Sequence, residues 1–349
     1  DDGSSKFAKG HQWGIFPSGA FAWRFTEEPF MQWITPVMSY GKLRLTYGSV
    51  GNNRNVMDYA YAIEFNAGDN MYEYPTDALS QQTGYGVVPF FYANKELTWE
   101  KTREFNAGLD LAFFQDRIYL SVDAYERNVT DMLIPKSLPY YMGYMNGANT
   151  RVENAGSMSI RGLEITLNTL NVRKGRFTWK TDFTLSYVKS RIKSFERGAD
   201  LMTYIYNGFS PNQIWLAQAG ASSSQFYGFV FDGLYQLGDF EQDAHGNYLL
   251  KPDVVGFKTV TGGYRVQPGD PKYRDLNGDG VIDDNDQTSI GRPTIPEIFY
   301  GFGANIQYKK FDFSFFFQGT GRYGIEMIDM HPFRDDQYSG FNMTQWVAD

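Results

Sequence analysis

The amino-acid sequence predicts an all-β fold whose strands form part of an antiparallel transmembrane β-barrel with long extracellular loops. Long stretches alternate apolar and polar residues with a period of two, which is the pattern of a strand with one apolar face. These stretches run to roughly nine to fourteen residues, enough to cross a bilayer at a tilt, whereas strands of soluble proteins average about five or six. Tight turns alternate with long connections along the chain, as in outer-membrane barrels.

The first predicted strands lie in the N-terminal part of the chain. One covers residues 13 to 25 and places Phe21, Trp23 and Phe25 on a single face. The next, KLRLTYGSVG at 42 to 51, alternates in the same way, with Arg44 among the polar residues of its opposite face.

Three hairpins follow, each predicted from two alternating segments joined by a short polar connection. The connections are Gln115 with Asp116, residues 171 to 176, and Lys309 with Lys310. Aromatic residues gather at the strand ends, as an interfacial girdle requires. The ordinary alternative is a soluble β-sandwich, which would bury the apolar face of the last hairpin. That face consists of Phe311, Phe313, Phe315 and Phe317.

Composition excludes several classes of function. The chain of 349 residues has a net charge of −8 and no long basic block, so nucleic acid is not an expected partner. It has no cysteine, which excludes disulfides and thiolate metal sites within it. The three histidines have no spaced metal partner, and no Gly-x-Ser-x-Gly segment occurs. We therefore predict no catalytic residue, no organic cofactor and no enzymatic activity.

The segment DLNGDGVIDDND at 275 to 286 has nearly the spacing of a calcium loop. Gly280 permits its sharp turn, but proline and glycine replace the helices that flank an EF-hand. The prediction is a loose, dockerin-like structural Ca²⁺ site, and the alternative is a solvated turn without an ion. The predicted ligands are Asp275, Asn277, Asp279, the carbonyl of Val281, Asp283 and Asp286.

The direction of the strands places this loop. Antiparallel strands reverse at every connection, so the three short connections share one end, which in a barrel is periplasmic. The strand that ends near Ser190 and the strand that begins near Glu297 then both reach the other end. We therefore expect residues 191 to 296 to form an extracellular region that contains 275 to 286. If residues 225 to 236 spanned the membrane, a second spanning strand would be needed within this region; none is as clear, so we favour a strand that stands above the membrane.

Candidate cargo contacts are less distinct. Tyr140, Tyr141 and Tyr144 lie in an aromatic-rich loop that we expect to be extracellular. Aromatic rings stack on sugars and on apolar side chains, but packing of loops against each other explains them equally well. Polar residues on the inward face of the strands are expected to line a lumen or to contact a plug. These are Arg44, Asp110, Asp123 and Asp182.

Several separate stretches resemble the barrel of SusC/RagA-type TonB-dependent transporters of Bacteroidetes, and they occur in the same order as in that family. The resemblance covers most of the chain except the long loops 53 to 93, 136 to 150 and 195 to 212. The stretches are NKELTWEKTREFNAGLDLAFFQDRIYLSVDAYERNVTDML, NAGSMSIRGLEITLNTLNVRKGRFTWKTDFTLSYVKSRI, QFYGFVFDGLYQ and KYRDLNGDGVIDDNDQTSIGRPTIPEIFYGFGANIQYKKFDFSFFFQGTG.

The resemblance implies a barrel of about 22 strands that encloses an N-terminal plug. Neither the plug nor the final strands are recognised in this sequence, so residues 1 to 349 are expected to be a partial β-barrel domain. An open barrel edge in lipid would leave backbone groups unpaired, which favours the same interpretation.

The resemblance also implies a function and its partners. These are energised import of an oligosaccharide or peptide across the bacterial outer membrane, a SusD-like surface lipoprotein as a lid, and the TonB–ExbB–ExbD complex acting on the plug. Two alternatives are a soluble extracellular protein that binds or hydrolyses glycans, with a dockerin-like calcium loop, and a passive structural porin.

Overall fold

The main element of the fold is an antiparallel sheet, the wall sheet, in which each strand pairs with the next along the chain. The computed structural model describes residues 1–66, 73–75, 83–85, 88–137, 150–195, 202–205, 214–217, 219–257 and 265–325. Within these residues the wall sheet has eight strands, with β1 and β8 at its edges. They are β1 (Ser18–Trp23), β2 (Met38–Asn52), β3 (Glu100–Phe113), β4 (Ile118–Thr130), β5 (Gly156–Lys174), β6 (Phe177–Phe195), β7 (Ile298–Tyr308) and β8 (Phe311–Gly321).

This topology confirms the all-β prediction. Seven of the strands have 11 to 19 residues, whereas β1 has only 6. Strands β6 and β7 pair with each other, Tyr187 opposite Ile298. The segment between β6 and β7 therefore leaves and rejoins the wall sheet on one side, the side away from the tight turns, as the strand directions require.

The two faces of the wall sheet differ sharply in polarity. One, which we call the outer face, carries the apolar residues, such as Leu45 of β2 and Leu109 of β3. The other, the inner face, carries polar residues such as Arg44 and Asp110. A soluble sandwich would bury the outer face, but Phe311 is 78% exposed, Phe313 60% and Phe317 65%, and Phe315 between them is half-buried. The expectation of the soluble alternative is therefore wrong for these residues.

Tight turns occur at one end of the wall sheet. Phe114, Gln115 and Asp116 all adopt positive φ, at 53°, 59° and 63°. Lys309 in the β7–β8 turn has φ 56°, and the predicted turn there is confirmed. The connection predicted at residues 171 to 176 is shorter than expected, because β5 continues to Lys174 through a register shift between Leu170 and Val172.

The N-terminal strand predicted over residues 13 to 25 is also wrong in its bounds. Trp13–Gly14 pairs with Asp2–Gly3, and β1 begins only after Pro17, which has no backbone N–H for a sheet ladder. Beyond Trp23 the chain forms two 3-10 helices, Phe25–Glu27 and Pro29–Ile34, before β2 begins.

A small apolar core, which we call the loop core, lies among the connections at the opposite end from the tight turns. The rings of Phe7 and Phe16 pack on Trp99, with centroids 5.3 and 5.4 Å apart. The side chain of Asn154 donates to the carbonyls of Thr98 and Asp131. The buried members are Phe7, Val56, Ala60, Leu97, Trp99 and Leu133, with Phe16 and Val152 against them.

Three short strand pairs lie in the β2–β3 and β4–β5 connections, which also supply residues of the loop core. They are Glu64–Asn66 with Val88–Phe91, Glu73–Pro75 with Thr83–Tyr85, and Leu133–Ser137 with Thr150–Asn154. Among the described residues, no helix is long and apolar enough to cross a membrane.

Among the described residues, a second unit comprises 202–205, 214–217, 223–257, 265–296 and 322–325. Its largest sheet contains Gln225–Phe229, which has 5 residues, fewer than the roughly nine to eleven of a membrane-crossing strand. The other strands of that sheet are Met202–Ile205, Ile214–Ala217 and Gln287–Ile290. Smaller pairs are Phe231–Leu234 with Pro271–Tyr273, Phe240–Gln242 with Tyr248–Leu250, and Gly256–Phe257 with Val281–Ile282; the 3-10 helices are Leu237–Asp239 and Asp284–Asp286.

Candidate functional site

An ion-pair network occupies the inner face of β2, β3 and β4. The guanidinium of Arg44 binds two carboxylates at once, with Nε 2.8 Å from Asp110 Oδ2 and Nη2 2.8 Å from Asp123 Oδ2. The hydroxyl of Ser121 donates to Asp110 Oδ1 at 2.7 Å. Charge-assisted, two-point hydrogen bonds of this kind fix the geometry as well as the charge.

A glycine makes this network possible. Arg44 lies opposite Gly108 on β3, and Gly108 lies opposite Asp123 on β4. A Cβ at position 108 would come within 2.6 Å of both Arg44 Cζ and Asp123 Oδ1. Because glycine has no side chain, the arginine can cross β3 to reach the far carboxylate. The sequence predicted inward-facing polar residues here, and the structure brings three of them together; Asp182 lies on β6, outside the network.

A hollow of about 690 Å³ opens on the inner face of β5 to β8. The ring of Phe316 forms part of it and lies over Gly301, where a Cβ would come within 2.9 Å of both Phe316 Cζ and Thr184 Oγ1. This aromatic surface beside carboxylate, amide and hydroxyl groups can contact an amphipathic solute. The polar side chains that line the hollow are Glu164, Thr166, Thr184, Ser186, Gln318 and Thr320.

No pattern noted in the sequence predicts this hollow. The alternation of β8 places Phe316 on the inner face, between phenylalanines of the outer face, but a run of phenylalanines hides the difference. The glycines of β7 that lie opposite β8 were the available signal, because glycine in a strand often marks close approach of a neighbouring group.

The aspartate loop at 275 to 286 is held by its own hydrogen bonds. Asp275 accepts from the backbone N–H of Gly278 at 2.6 Å and of Gly280 at 2.8 Å. Asn277 accepts from the N–H of Asp279, which in turn accepts from Val281. Gly278 and Gly280 adopt φ of 76° and 85°, a region that glycine enters without strain.

Asp286 closes the loop from inside and is fully buried. Its Oδ1 accepts from the N–H of Leu276 at 2.8 Å, and its Oδ2 accepts from the N–H of Asp283 at 2.8 Å. The N–H of Asn277 also points to Oδ1, at 3.4 Å. These bonds, the one from Asp283 foremost, lower the pKa of Asp286 although burial acts in the opposite direction.

The loop fits a Ca²⁺ ion in part. Asp275, Asn277 and Asp279 keep free lone pairs, because each bonded oxygen accepts a single N–H. Asp286 differs from them, because it is fully buried and its Oδ1 already accepts from two backbone N–H groups. Among the described residues, no group of three or more His, Cys, Asp or Glu side chains is arranged as a metal site. Tyr140, Tyr141 and Tyr144 lie outside the described residues.

A family model and two curated relatives place the chain in the same family. The model of the family described as "TonB dependent receptor-like, beta-barrel" matches residues 1–279. TonB-dependent receptor P3 of Formosa agariphila is 33% identical over 320 residues, which are 91% of this chain and 29% of that protein. TonB-dependent receptor SusC of Bacteroides thetaiotaomicron is 29% identical over 319 residues, 90% of this chain and 28% of that protein.

Solved structures show the same fold. The RagAB peptide importer in its closed-closed state superposes with a TM-score of 0.67 at 21% identity, covering 92% of this chain and 31% of that one. Its open-open state gives a TM-score of 0.67 at 20% identity. The chain thus spans about three-tenths of the length of the relatives that it matches.

Proposed function

Because this chain belongs to the TonB-dependent receptor β-barrel family, we propose that it forms part of the barrel wall of an outer-membrane importer. The whole protein would take up a nutrient that is too large for ordinary porins, either an oligosaccharide or a peptide. It would act as a transporter and not as an enzyme.

The two-faced wall sheet is the observation that carries this proposal. Its outer face exposes phenylalanines such as Phe313, and its inner face carries the charged network around Arg44. Apolar surface outside and polar surface inside suits a wall between lipid and an aqueous lumen. A passive porin shares these two faces, and the family favours energised transport over it.

The proposed cargo and partners follow from the relatives. RagAB is described as a peptide importer, which supports peptide cargo. Oligosaccharide as the other cargo class and a SusD-like lipoprotein lid follow from the resemblance to SusC/RagA-type transporters, of which SusC is a relative by sequence. The TonB–ExbB–ExbD complex would supply energy through a plug domain. Residues 191 to 296 and the loop with Tyr140, Tyr141 and Tyr144 would face the cell exterior, where cargo and lid approach.

Uptake by cells tests this proposal. A strain lacking the full-length gene should lose uptake of one labelled class, peptides or oligosaccharides, and regain it when the gene is returned. Removal of TonB should abolish the restored uptake. Uptake that continues without TonB would identify a passive porin, and hydrolysis of the cargo by the purified protein would identify the enzymatic alternative.

We also propose that the loop at 275 to 286 takes one structural Ca²⁺. Asp275, Asn277 and Asp279 offer side-chain oxygens on an exposed turn, and the ion would neutralise clustered carboxylates and stiffen the segment. In the full-length protein, chelator should lower the melting temperature of the wild type. It should not change that of a variant with Asp275→Ala and Asp279→Ala. No effect of chelator on the wild type would refute the site.

A further inference from the structure

The connection between β1 and β2 is unlike the others at its end of the wall sheet. The β3–β4, β5–β6 and β7–β8 connections are tight turns, whereas residues 24–37 form the 3-10 helices Phe25–Glu27 and Pro29–Ile34. A connection of this length needs a surface to lie on, because short 3-10 helices are not stable alone.

The segment folds back onto the outer, apolar face. Phe25 fills the space above Gly41 of β2, where a Cβ would come within 2.4 Å of its Cζ. Gly41 alternates with Leu43 and Leu45, so it belongs to the outer face. The ring of Trp23 lies 5.9 Å from Phe25 and 6.3 Å from Phe30, which continues the apolar surface of β1 into the segment.

A threonine side chain binds the backbone groups of β2 that lie beyond the end of β1. Beyond Trp23, β2 has no strand partner on that edge, so the backbone groups of Gly41 need another partner. The hydroxyl of Thr26 accepts from the N–H of Gly41 at 3.0 Å and donates to its carbonyl at 3.4 Å. Thr26 is buried. Backbone groups satisfied in this way are a requirement for a surface that meets lipid.

The segment exposes three large apolar side chains beside exposed polar ones such as Gln32 and Thr35. Phe30 is 62% exposed, Trp33 75% and Val37 49%. Its charged side chains have partners within the segment and at the end of β1, since Arg24 pairs with Glu27 at 2.8 Å and Glu28 accepts from the indole N–H of Trp23 at 2.9 Å. The segment therefore lacks a free cation that would favour anionic phosphate groups.

We propose that residues 24–37 are an interfacial anchor, which lies in the boundary between headgroups and acyl chains of the leaflet at the tight-turn end. The partner is a zwitterionic lipid surface, and apolar burial of Phe30, Trp33 and Val37 drives the contact. The inference rests on the proposed function, because the outer face must meet lipid for the anchor to continue it.

Nitroxide labels on the full-length protein test the anchor in vesicles of phosphatidylethanolamine and phosphatidylcholine. The label positions are Trp33→Cys and Phe30→Cys in the anchor, Asp116→Cys in a tight turn and Phe313→Cys on the outer face; this chain has no native cysteine, and any elsewhere would be replaced by serine. Oxygen and a water-soluble nickel chelate, as collision partners, report the depth of each label.

The anchor positions should collide with oxygen in preference to the chelate, at a depth of about 5–10 Å. Position 116 should show the reverse, and 313 should lie deeper than the anchor. Adding phosphatidylglycerol should leave the depth at position 33 unchanged. One contrary result is that the chelate reaches positions 30 and 33 as it reaches position 116, and another is that both positions are shielded from oxygen and chelate, while position 313 remains in lipid. Either result refutes the anchor and leaves the proposed membrane barrel standing. If 313 is also reached by the chelate, the proposed membrane barrel fails and the anchor with it.

Discussion

The wall sheet and the loop core place their apolar residues in opposite ways. The wall sheet leaves Phe311 and Phe313 uncovered, whereas the loop core buries Phe7 and Leu97 almost completely. Between its two edge strands the wall pairs its backbone groups from strand to strand, whereas side chains such as Asn154 bind backbone groups of the loop core. The wall thus needs an apolar medium to cover it, while the loop core supplies its own, as a domain surrounded by water does.

The largest effect should come from a cavity in the loop core. Leu97→Ala should destabilise it by about 2–5 kcal/mol, because packed neighbours cannot fill the space. Leu163→Ala on the outer face, where Leu163 is 38% exposed, should cost under about 1 kcal/mol, because lipid or detergent can fill the gap. Denaturant unfolding of the full-length protein in vesicles, with hydrogen exchange at residues 92–99 as a local probe, measures both. Equal costs would show that the two parts are covered by the same medium.

The next effect concerns the polar face of the wall. Arg44→Met leaves two aspartates facing each other and should cost about 2–4 kcal/mol, less than for a fully buried pair because the network keeps some solvent contact. The matched control is Arg161→Met, which breaks the exposed pair with Glu126 and should cost under about 1 kcal/mol. Unfolding in vesicles measures both variants.

A rescue variant separates charge from packing at this network. Adding Asp110→Asn and Asp123→Asn to Arg44→Met removes the uncompensated charges and should recover most of the loss. A triple variant as unstable as the single one would mean that the arginine acts through its packing and not through its charge.

The aspartate loop is held by hydrogen bonds to its carboxylates and not by lipid or an apolar core. Its stability should therefore depend on pH. The pKa of the Asp286 carboxyl is lower in the folded loop than in the unfolded chain. The ionised carboxylate therefore contributes fully to the stability of the loop above the unfolded pKa of about 4. This contribution should be lost as pH falls through the folded value. Hydrogen exchange of the Leu276 and Asp283 amides, corrected for the intrinsic rate, should show this in the wild type and not in Asp286→Asn. Loss of protection already at neutral pH would contradict the assigned bonds.

The difference between wall and loop core also explains what the sequence could predict. Alternation is a local signal, so Leu43 and Leu45 of β2 and Phe311 and Phe313 of β8 revealed the strands and their apolar face. The loop core joins Phe7, Val56, Leu97 and Leu133, which lie far apart in sequence and follow no period. No local pattern could have identified it.

Site prediction had the same limit. The spacing of Asp275, Asn277 and Asp279 is local, and in the structure these residues close a turn through their own hydrogen bonds; the calcium ion stays a prediction. The burial of Asp286 beneath three N–H groups was not predictable, because it depends on the fold of the whole loop. The bridging role of Arg44 depends on the register that sets Gly108 between it and Asp123, and register is not visible in any single strand.

The smallest effect should come from the tight turns, which neither medium covers. Gln115 adopts φ 59°, a left-handed conformation that costs a residue with a side chain about 1–2 kcal/mol of stability. Glycine adopts this conformation without that strain, but fixing its more flexible backbone on folding costs about 0.5–1 kcal/mol. Gln115→Gly should therefore stabilise the protein by up to about 1 kcal/mol. Gly175 has the same φ of 59° in the β5–β6 turn, so Gly175→Ala should destabilise by a similar amount. Melting temperatures of the two variants should shift in opposite directions, and a shift in the same direction would mean that contacts of the turn, not its backbone conformation, decide its stability.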